Sequence, residues 1–226
     1  MTCFFTSCGL CPANGLVDEL KRVLKSPCTA LYICSDPEDW SKTDLYGGIN
    51  RKLFEDAGFM FSRFQILDGR NEGDAPALVS GAELIILAGG HVPTQNGFFA
   101  KIGLRELLAG FKGVIMGISA GTMNSAETVY AHPEREGEAV SKEYRRFLPG
   151  LGLTESMVLP HYQLIKDDVL DGLRLFEDIA YPDSIGRCFY VLPDGSYILS
   201  RDRQEELRGE AWLLRDGVLR KINENE

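Results

Sequence analysis

The sequence has no long hydrophobic run and no cluster of residues with the spacing of a metal site. No stretch approaches the roughly 18 uninterrupted apolar residues of a membrane span, and the first residues lack the basic and apolar regions of a signal peptide. There are only three histidines, and no histidine or cysteine cluster has the spacing of a metal site. We therefore expect no signal peptide, no membrane partner, no metal and no cofactor.

The chain also has fewer basic than acidic residues. The chain carries 24 basic and 33 acidic side chains, a formal charge of −9. Nucleic acid and anionic membranes would be repelled by this balance, so neither is an expected partner. The content of 44% hydrophobic and 25% charged residues is ordinary for a soluble globular protein. We expect one domain over residues 1–226, with the oligomeric state open between monomer and homodimer.

The six cysteines are explained best as free thiols in a reducing compartment. Several lie in apolar, strand-like sequence, which indicates burial. Cys8 and Cys11 form a lone C-x-x-C pair without a second pair or a metal-spaced histidine, so a redox or metal role is the minor alternative. A cytoplasmic location is the expectation.

Short apolar runs alternate with helical patterns in the first half of the chain. This alternation predicts βαβ units and a mostly parallel sheet covered by helices on both faces, an α/β fold of three layers. The predicted strands are Cys3–Thr6, Ala30–Cys34, Phe59–Ile66, Leu84–Ala88 and Val114–Ile118, and the predicted helices are Leu16–Leu24, Lys52–Ala57 and Phe99–Ala109.

The pattern changes after Gly121. Charged residues 127–146 predict a loop or insertion containing a helix, followed by a strand at Met157–Leu159 and an amphipathic helix at Asp167–Ile179. The tail has β-type runs separated by Pro193-Asp194-Gly195 and Asp216-Gly217, which predict hairpins and an antiparallel C-terminal edge. The runs are Arg187–Leu192, Tyr197–Ser200, Ala211–Leu214 and Val218–Ile222.

A G-x-S-x-G motif follows the predicted strand Val114–Ile118. Its central residue is Ser119, and residues 120–126 can begin a helix. A strand, a sharp turn and a helix are the context that a nucleophilic serine needs, because the turn exposes the hydroxyl and the helix N-terminus directs N–H groups toward an oxyanion. We therefore predict that Ser119 is a nucleophile; the alternative is a plain turn rich in small residues.

Two histidines are placed to act as the base for this serine. His161 follows the predicted strand Met157–Leu159, and His91 follows Leu84–Ala88 and two glycines. Ligands bind beyond the carboxyl ends of strands in open α/β sheets, so both positions qualify. His132 lies in charged sequence and is expected to be a solvated surface residue.

The remaining groups are oxyanion donors and an acid. Consecutive glycines, Gly89 and Gly90, allow the backbone to turn N–H groups inward, so Gly90 and Ala120 are the candidate donors. No aspartate lies between Ser119 and His161, whereas Asp194 follows an apolar strand. Asp194 can therefore orient His161; alternatively, it is only the corner of a turn, and a glutamate of residues 127–143 takes this role.

These segments together resemble the peptidase E and cyanophycinase family of serine peptidases. The matching residues are Leu87-Ala88-Gly89-Gly90, Gly117 to Gly121, Pro160-His161 and residues 192–196, in the same order. The resemblance implies a flavodoxin-like sheet related to class I glutamine amidotransferases. It also implies Ser119 as nucleophile, His161 as base, Asp194 as acid, and Gly90 with Ala120 as oxyanion donors.

One departure concerns specificity. The family typically has asparagine after the two glycines, near the substrate's amino end, whereas this chain has His91. Preference for an N-terminal aspartate is therefore not carried over, although Gly89, Gly90 and His91 remain candidate substrate-binding residues. We expect a serine-type, dipeptidase-like hydrolase of a small peptide or amide; the alternatives are an esterase or acyl transferase and a catalytically silent ligand binder.

Overall fold

The structure, a computed structural model, describes residues 1–222. Its strands are β1 (Thr2–Thr6), β2 (Cys28–Ile33), β3 (Phe61–Leu67), β4 (Leu84–Leu87), β5 (Val114–Ile118), β6 (Thr128–Tyr130), β7 (Phe147–Pro149), β8 (Met157–Leu159), β9 (Val169–Leu170), β10 (Leu173–Arg174), β11 (Cys188–Val191), β12 (Tyr197–Arg201), β13 (Gln204–Arg208), β14 (Ala211–Arg215) and β15 (Val218–Ile222). Its α-helices are α1 (Leu16–Val23), α2 (Trp40–Asp56), α3 (Ala75–Ser80), α4 (Val92–Lys101), α5 (Leu104–Leu108), α6 (Ala120–Asn124), α7 (Tyr162–Ile165) and α8 (Tyr181–Asp183).

The main sheet has the strand order β13-β12-β1-β5-β4-β2-β3. The five strands from β1 to β3 in this order are parallel, and β12 and β13 add an antiparallel edge beside β1. Thr6 lies opposite Ile118, and Leu87 lies opposite Gly117. The carboxyl ends of β1, β4 and β5 therefore meet at one edge of the sheet.

Helices cover both faces of this sheet because successive strand residues point to opposite sides. Phe4 packs on the face that α1 covers with Leu16 and Leu20. Phe5 packs on the other face, against Phe98 of α4. The three-layer α/β fold with a mostly parallel sheet and an antiparallel edge is thus confirmed.

A second sheet has the order β15-β14-β11-β8. β8 and β11 are parallel, with Leu159 opposite Val191, while β14 and β15 are antiparallel to their neighbours. Because β8 and β11 run the same way, the residues that follow them emerge at the same edge. These residues are His161 and Asp194.

The structure differs from the sequence-based expectation in the helices. The predicted helix at Lys52–Ala57 is the end of the longer α2, and the one at Phe99–Ala109 is divided between α4 and α5. Gly103, with φ of 63°, separates these two helices. Residues 127–146 contain no helix; β6 and irregular turns occupy them instead.

The predicted helix Asp167–Ile179 is wrong. Asp171 and Gly172 have positive φ of 54° and 80°, and they form a tight turn between β9 and β10. A short π-helix, Leu175–Ala180, follows. The Asp-Gly pair is a turn signal that outweighed the helical spacing of the apolar residues around it.

The two predicted hairpins in the tail have different outcomes. Asp216-Gly217 joins the paired strands β14 and β15 and is a hairpin turn, as predicted. Residues 193–195 join β11 to β12, which belong to different sheets, so the predicted hairpin at this point is wrong. The sequence also did not predict β13, whose residues are mostly polar and which pairs with β12 through a turn at Asp202-Arg203.

Candidate active site

Ser119 occupies a strained turn between β5 and α6. Its φ of 48° and ψ of −108° lie outside the regions that a serine ordinarily adopts. Its N–H donates to the Thr6 carbonyl at 3.1 Å, and its carbonyl accepts from Met123 N–H at 3.0 Å. The backbone on both sides of the serine is therefore fixed, which is what maintains an unfavourable conformation at a site.

Both glycines of the motif are required by close backbone approaches. A Cβ on Gly117 would lie 2.8 Å from the Thr122 nitrogen, and a Cβ on Gly121 would lie 2.7 Å from the Leu87 carbonyl carbon. A side chain at Gly117 would force β5 and α6 apart, and one at Gly121 would force α6 away from β4. The G-x-S-x-G spacing thus has a steric cause, and the turn it predicted is present.

His161 begins α7 directly beyond β8 and has a left-handed backbone, with φ of 59°. Its Nδ1 lies 2.6 Å from Oδ1 of Asp194. Within residues 1–222 its Nε2 makes no hydrogen bond. This network assigns the proton to Nδ1, which donates to the carboxylate, and leaves a lone pair on Nε2.

Asp194 lies beyond β11 and points its carboxylate to His161. Its backbone N–H donates to Oε1 of Gln163 at 3.0 Å, while Oδ1 also accepts from the Ser7 hydroxyl at 2.9 Å. The alternative in which Asp194 only caps its own turn predicts a side chain bonded to its own backbone, and the carboxylate makes its bonds to His161 and Ser7 instead. The predicted contact between His161 and Asp194 is present.

Ser119 and His161 form hydrogen bonds with adjacent residues at the end of β1. Thr6 accepts the N–H of Ser119, and Ser7 Oγ accepts the N–H of His161 at 2.8 Å. Across the described part of the chain, no hydrogen bond joins Ser119 Oγ to His161 Nε2, so the predicted contact is not closed in this structure. Such bonds are often long without substrate and tighten when it binds.

Sequence reasoning missed Ser7. Its side chain is fully buried and lies between the base and the acid. The one available signal was its position at the carboxyl end of β1. Polar residues at that edge of a parallel sheet are candidates for a site.

The proposed oxyanion donors, Gly90 and Ala120, are the residues that follow Gly89 and Ser119, and these two residues approach each other. A Cβ built on Gly89 would be 3.5 Å from Ser119 Cβ. Gly90 has φ of 151°, and a Cβ there would lie 2.6 Å from Ser35 Cβ. No backbone hydrogen bond found between residues 1 and 222 uses the Gly90 N–H. Ala120 opens α6, so its N–H has no acceptor within the helix.

His91 is occupied by contacts within the protein. Its Nδ1 lies 2.7 Å from Thr94 Oγ1, and its Nε2 lies 2.8 Å from Oε1 of Glu138. Burial lowers the pKa of His91, although the negative charge of Glu138 opposes this effect. Neutral His91 can therefore donate from Nε2 and accept at Nδ1, which leaves no ring nitrogen for Ser119 or for a substrate.

Glu138 has an unexpectedly ordered environment for a residue in charged sequence. Its Oε2 accepts from the backbone N–H groups of Glu134 and Arg135 at 2.9 and 3.0 Å. Burial favours the protonated acid, but these hydrogen bonds and His91 outweigh it and lower the pKa of Glu138. The carboxylate therefore connects segment 132–146 to His91 at the start of α4.

His132 is not the solvated surface residue that the sequence predicted. Only 6% of its surface is exposed, and its Nδ1 has no hydrogen-bond partner. Burial, followed by the nearby charge of His161, lowers the pKa of His132 to about 4. The charged residues around it face solvent, while His132 itself follows β6, which packs against β8.

The segment that follows Gly90 is ordered as α4. Gln95 donates to the Ala88 carbonyl at 2.7 Å, and Asn124 donates to Oε1 of Gln95 at 3.0 Å. Asn96 in turn donates to Oδ1 of Asn124 at 3.0 Å. These amides connect α4 to α6 and fix the segment that follows Gly90.

The six cysteines are free, and burial, with the charge of Asp194, raises the pKa of Cys8. Within residues 1–222 no three His, Cys, Asp or Glu side chains are grouped so that they could hold a metal ion. Over the same residues no helix is long and apolar enough to cross a membrane.

The sheet order and the strained turn at Ser119 together describe an α/β fold with a sharp strand-turn-helix connection between β5 and α6. The chain is similar to a solved structure described as a "putative peptidase E protein" from Listeria monocytogenes EGD-e, with a TM-score of 0.63, 15% sequence identity and coverage of 98% of both chains. At this identity the likeness shows the fold, and the fold implied by the resemblance is confirmed. No protein-family profile and no curated protein matches the sequence.

Proposed function

We propose that this chain is a serine-type hydrolase that cleaves a small peptide or amide through an acyl-enzyme on Ser119. One observation carries the proposal: consecutive residues hold the strained serine and the histidine–aspartate pair. Thr6 accepts a hydrogen bond from Ser119, and Ser7 accepts one from His161, which is paired with Asp194. A nucleophile, a base and an acid that orients the base are the three groups this chemistry needs.

The acylation step follows from the free Nε2 of His161. As Ser119 Oγ attacks the substrate carbonyl, Nε2 takes the hydroxyl proton, and Asp194 stabilises the imidazolium through Nδ1–H. The oxyanion accepts from the N–H groups of Gly90 and Ala120. Collapse of the tetrahedral intermediate breaks the C–N bond, and His161 gives its proton to the leaving amine.

Deacylation repeats the same proton transfers with water. His161 takes a proton from the water that attacks the acyl carbonyl, and it returns that proton to Ser119 Oγ as the product acid leaves. No residue beyond the serine, the histidine, the aspartate and the two N–H donors is needed for either step. The resemblance to peptidase E supports a dipeptidase-like exopeptidase, with its side-chain preference open.

The decisive experiment combines a serine-reactive fluorophosphonate probe with a dipeptide library. Wild-type protein should label and turn over members of the library, and Ser119→Ala should do neither while keeping the fold. Ser80, an exposed serine on α3, supplies the control, since Ser80→Ala should label as wild type does. Residual turnover within about tenfold of wild type would remove Ser119 from the mechanism.

The same experiment separates the alternatives. Turnover of ester substrates without turnover of any dipeptide would identify an esterase or acyl transferase built on the same residues. Binding of peptides without labelling or turnover would identify a silent relative. Either result would replace the peptidase proposal.

A further inference from the structure

Ser7 forms hydrogen bonds with both His161 and Asp194, which the proposed chemistry needs to hold together. It follows β1, its side chain is fully buried, and its Oγ contacts three groups. The oxygen accepts the His161 N–H at 2.8 Å, and it lies 2.9 Å from Asp194 Oδ1 and 3.4 Å from the Leu192 carbonyl. We propose that Ser7 is a positioning residue that aligns His161 and Asp194 for catalysis; this inference rests on the proposed function.

The hydroxyl proton of Ser7 goes to the carboxylate. A serine has one proton to donate, and a charged acceptor at 2.9 Å is stronger than a carbonyl at 3.4 Å. Oδ1 of Asp194 therefore accepts from both Ser7 Oγ and His161 Nδ1. Two donors on one oxygen fix the direction of the carboxylate, and the carboxylate fixes the plane of the imidazole.

Ser7 also holds the backbone of His161. A left-handed conformation is unfavourable for a residue with a side chain and persists only where neighbours enforce it. The N–H of His161 has Ser7 Oγ as its acceptor, so the hydroxyl is part of what enforces the φ of 59°. Without this bond, the ring would lose both its backbone anchor and one restraint on its carboxylate partner.

The position of Ser7 in the chain extends this alignment to the nucleophile. Its neighbour Thr6 accepts hydrogen bonds from the N–H of Ser119 and from the hydroxyl of Thr122 at 2.8 Å. The end of β1 thus holds the nucleophile through residue 6, and it holds the base and the acid through residue 7. A shift of Ser7 changes the distance between His161 and Ser119, and small misplacements of reacting groups cost up to about 100-fold in rate.

Ser184 supplies a matched control. It is also fully buried, its Oγ accepts a backbone N–H, from Gly217, at 2.8 Å, and it donates to the Tyr181 carbonyl at 2.7 Å. It lies at the end of α8, among residues to which no role in the site is assigned. Ser7→Ala and Ser184→Ala therefore remove the same kind of buried hydroxyl, and we expect similar losses of stability.

The test measures the rate of Ser119 labelling by the fluorophosphonate probe and the proton NMR signal of the His161 Nδ1–H bonded to Asp194. We expect Ser7→Ala to slow labelling about 10–100-fold and to shift or broaden the proton signal. Ser184→Ala should change neither, despite a similar decrease in thermal stability. Ser7→Thr, which keeps the hydroxyl, should restore a large part of the rate.

The other outcomes either overturn the positioning role of Ser7 or show that the proposed function is wrong. Normal labelling and an unchanged proton signal in Ser7→Ala would overturn it, as would equal effects from Ser184→Ala. If Ser7→Ala does not fold, Ser7→Cys keeps the volume with a weak donor and is judged by the same criteria. If wild type does not label, the proposed function fails, and the proton signal alone decides whether Ser7 aligns His161 and Asp194.

Discussion

The site contains two histidine–carboxylate pairs with similar nitrogen–oxygen distances but different hydrogen-bonding capacity. His161 and Asp194 are 2.6 Å apart, with 28% and 33% of their side chains exposed, whereas His91 and Glu138 are 2.8 Å apart and only 11% and 15% exposed. The difference lies in the second ring nitrogen. Thr94 occupies that of His91, and no residue within 1–222 occupies that of His161.

This comparison shows that a carboxylate beside a histidine does not by itself indicate a base. A general base needs a lone pair that can reach the reacting proton, and His91 has already used its lone pair on a hydroxyl. Its bond to Glu138 instead fastens segment 132–146 over the start of α4. The proposed mechanism therefore uses the pair with the free nitrogen, whereas both ring nitrogens of the other histidine bond within the protein.

The largest expected difference between the pairs concerns the histidines. We expect His161→Gln to reduce turnover by roughly 10³-fold or more, because the proposed mechanism relies on Nε2 of His161 to take the Ser119 proton. His91→Gln should keep turnover within about tenfold of wild type and mainly lower stability. Steady-state kinetics with the best dipeptide of the library would measure both.

The reverse pattern would break the comparison by making His91 the base. A large rise in KM for His91→Gln, without a change in kcat, would instead support the sequence-based prediction that His91 contacts the substrate.

Substitution of Asp194 should reduce turnover more than substitution of Glu138. The difference should be smaller than that between the two histidines. Asp194→Asn should reduce turnover by roughly 10²–10⁴-fold, because an amide favours the wrong imidazole tautomer. Glu138→Gln should change turnover little and should loosen segment 132–146, which limited proteolysis would detect. A turnover of Asp194→Asn close to wild type would show that the carboxylate has no orienting role.

The smallest expected effect is the pH dependence of stability that His132 contributes. The pKa of His132 in the folded protein is about 4, against roughly 6.5 in an unfolded chain. Between these values the unfolded chain binds a proton that the folded protein excludes, so stability is lost as the pH falls through this window. The full difference corresponds to roughly 3 kcal/mol.

Urea unfolding of wild type and His132→Gln at pH 7 and pH 4.5 would measure this contribution. Carboxylates titrate in both proteins, so the difference between the two pH-dependent losses isolates His132. We expect the variant to lose less stability than wild type on acidification. Equal losses would show that His132 is not held neutral by burial.

Most of the candidate site residues that the sequence could predict lie at the ends of predicted strands. The bounds of β5 and β8 match the predicted strands, and Ser119 and His161 follow those strands because short-range signals define both. Asp194 was found by its position after an apolar run, although its Pro-Asp-Gly setting suggested a hairpin. Local patterns therefore selected these three candidates, with the family resemblance adding to the choice of Asp194, and did not determine the connection around the third.

The residues that were missed depend on contacts between distant segments. The pairing of Glu138 with His91 and the burial of His132 arise from how segment 132–146 folds over the sheet, and no local spacing encodes that. Ser7 is one of many serines until β1 is known to lie beside β5, and the bond from Ser7 to Asp194 spans 187 residues of sequence.

The interior position of β1 has a consequence for the order in which the candidate site is assembled. β1 lies between β5 and β12, and Thr6 meets Gly117 across 111 residues of chain. Contacts of this separation form slowly and close large loops. During synthesis the serine emerges before the histidine and the aspartate, and β12 follows all three. A nascent chain therefore carries an incomplete candidate site until nearly all of the described residues have been made and folded.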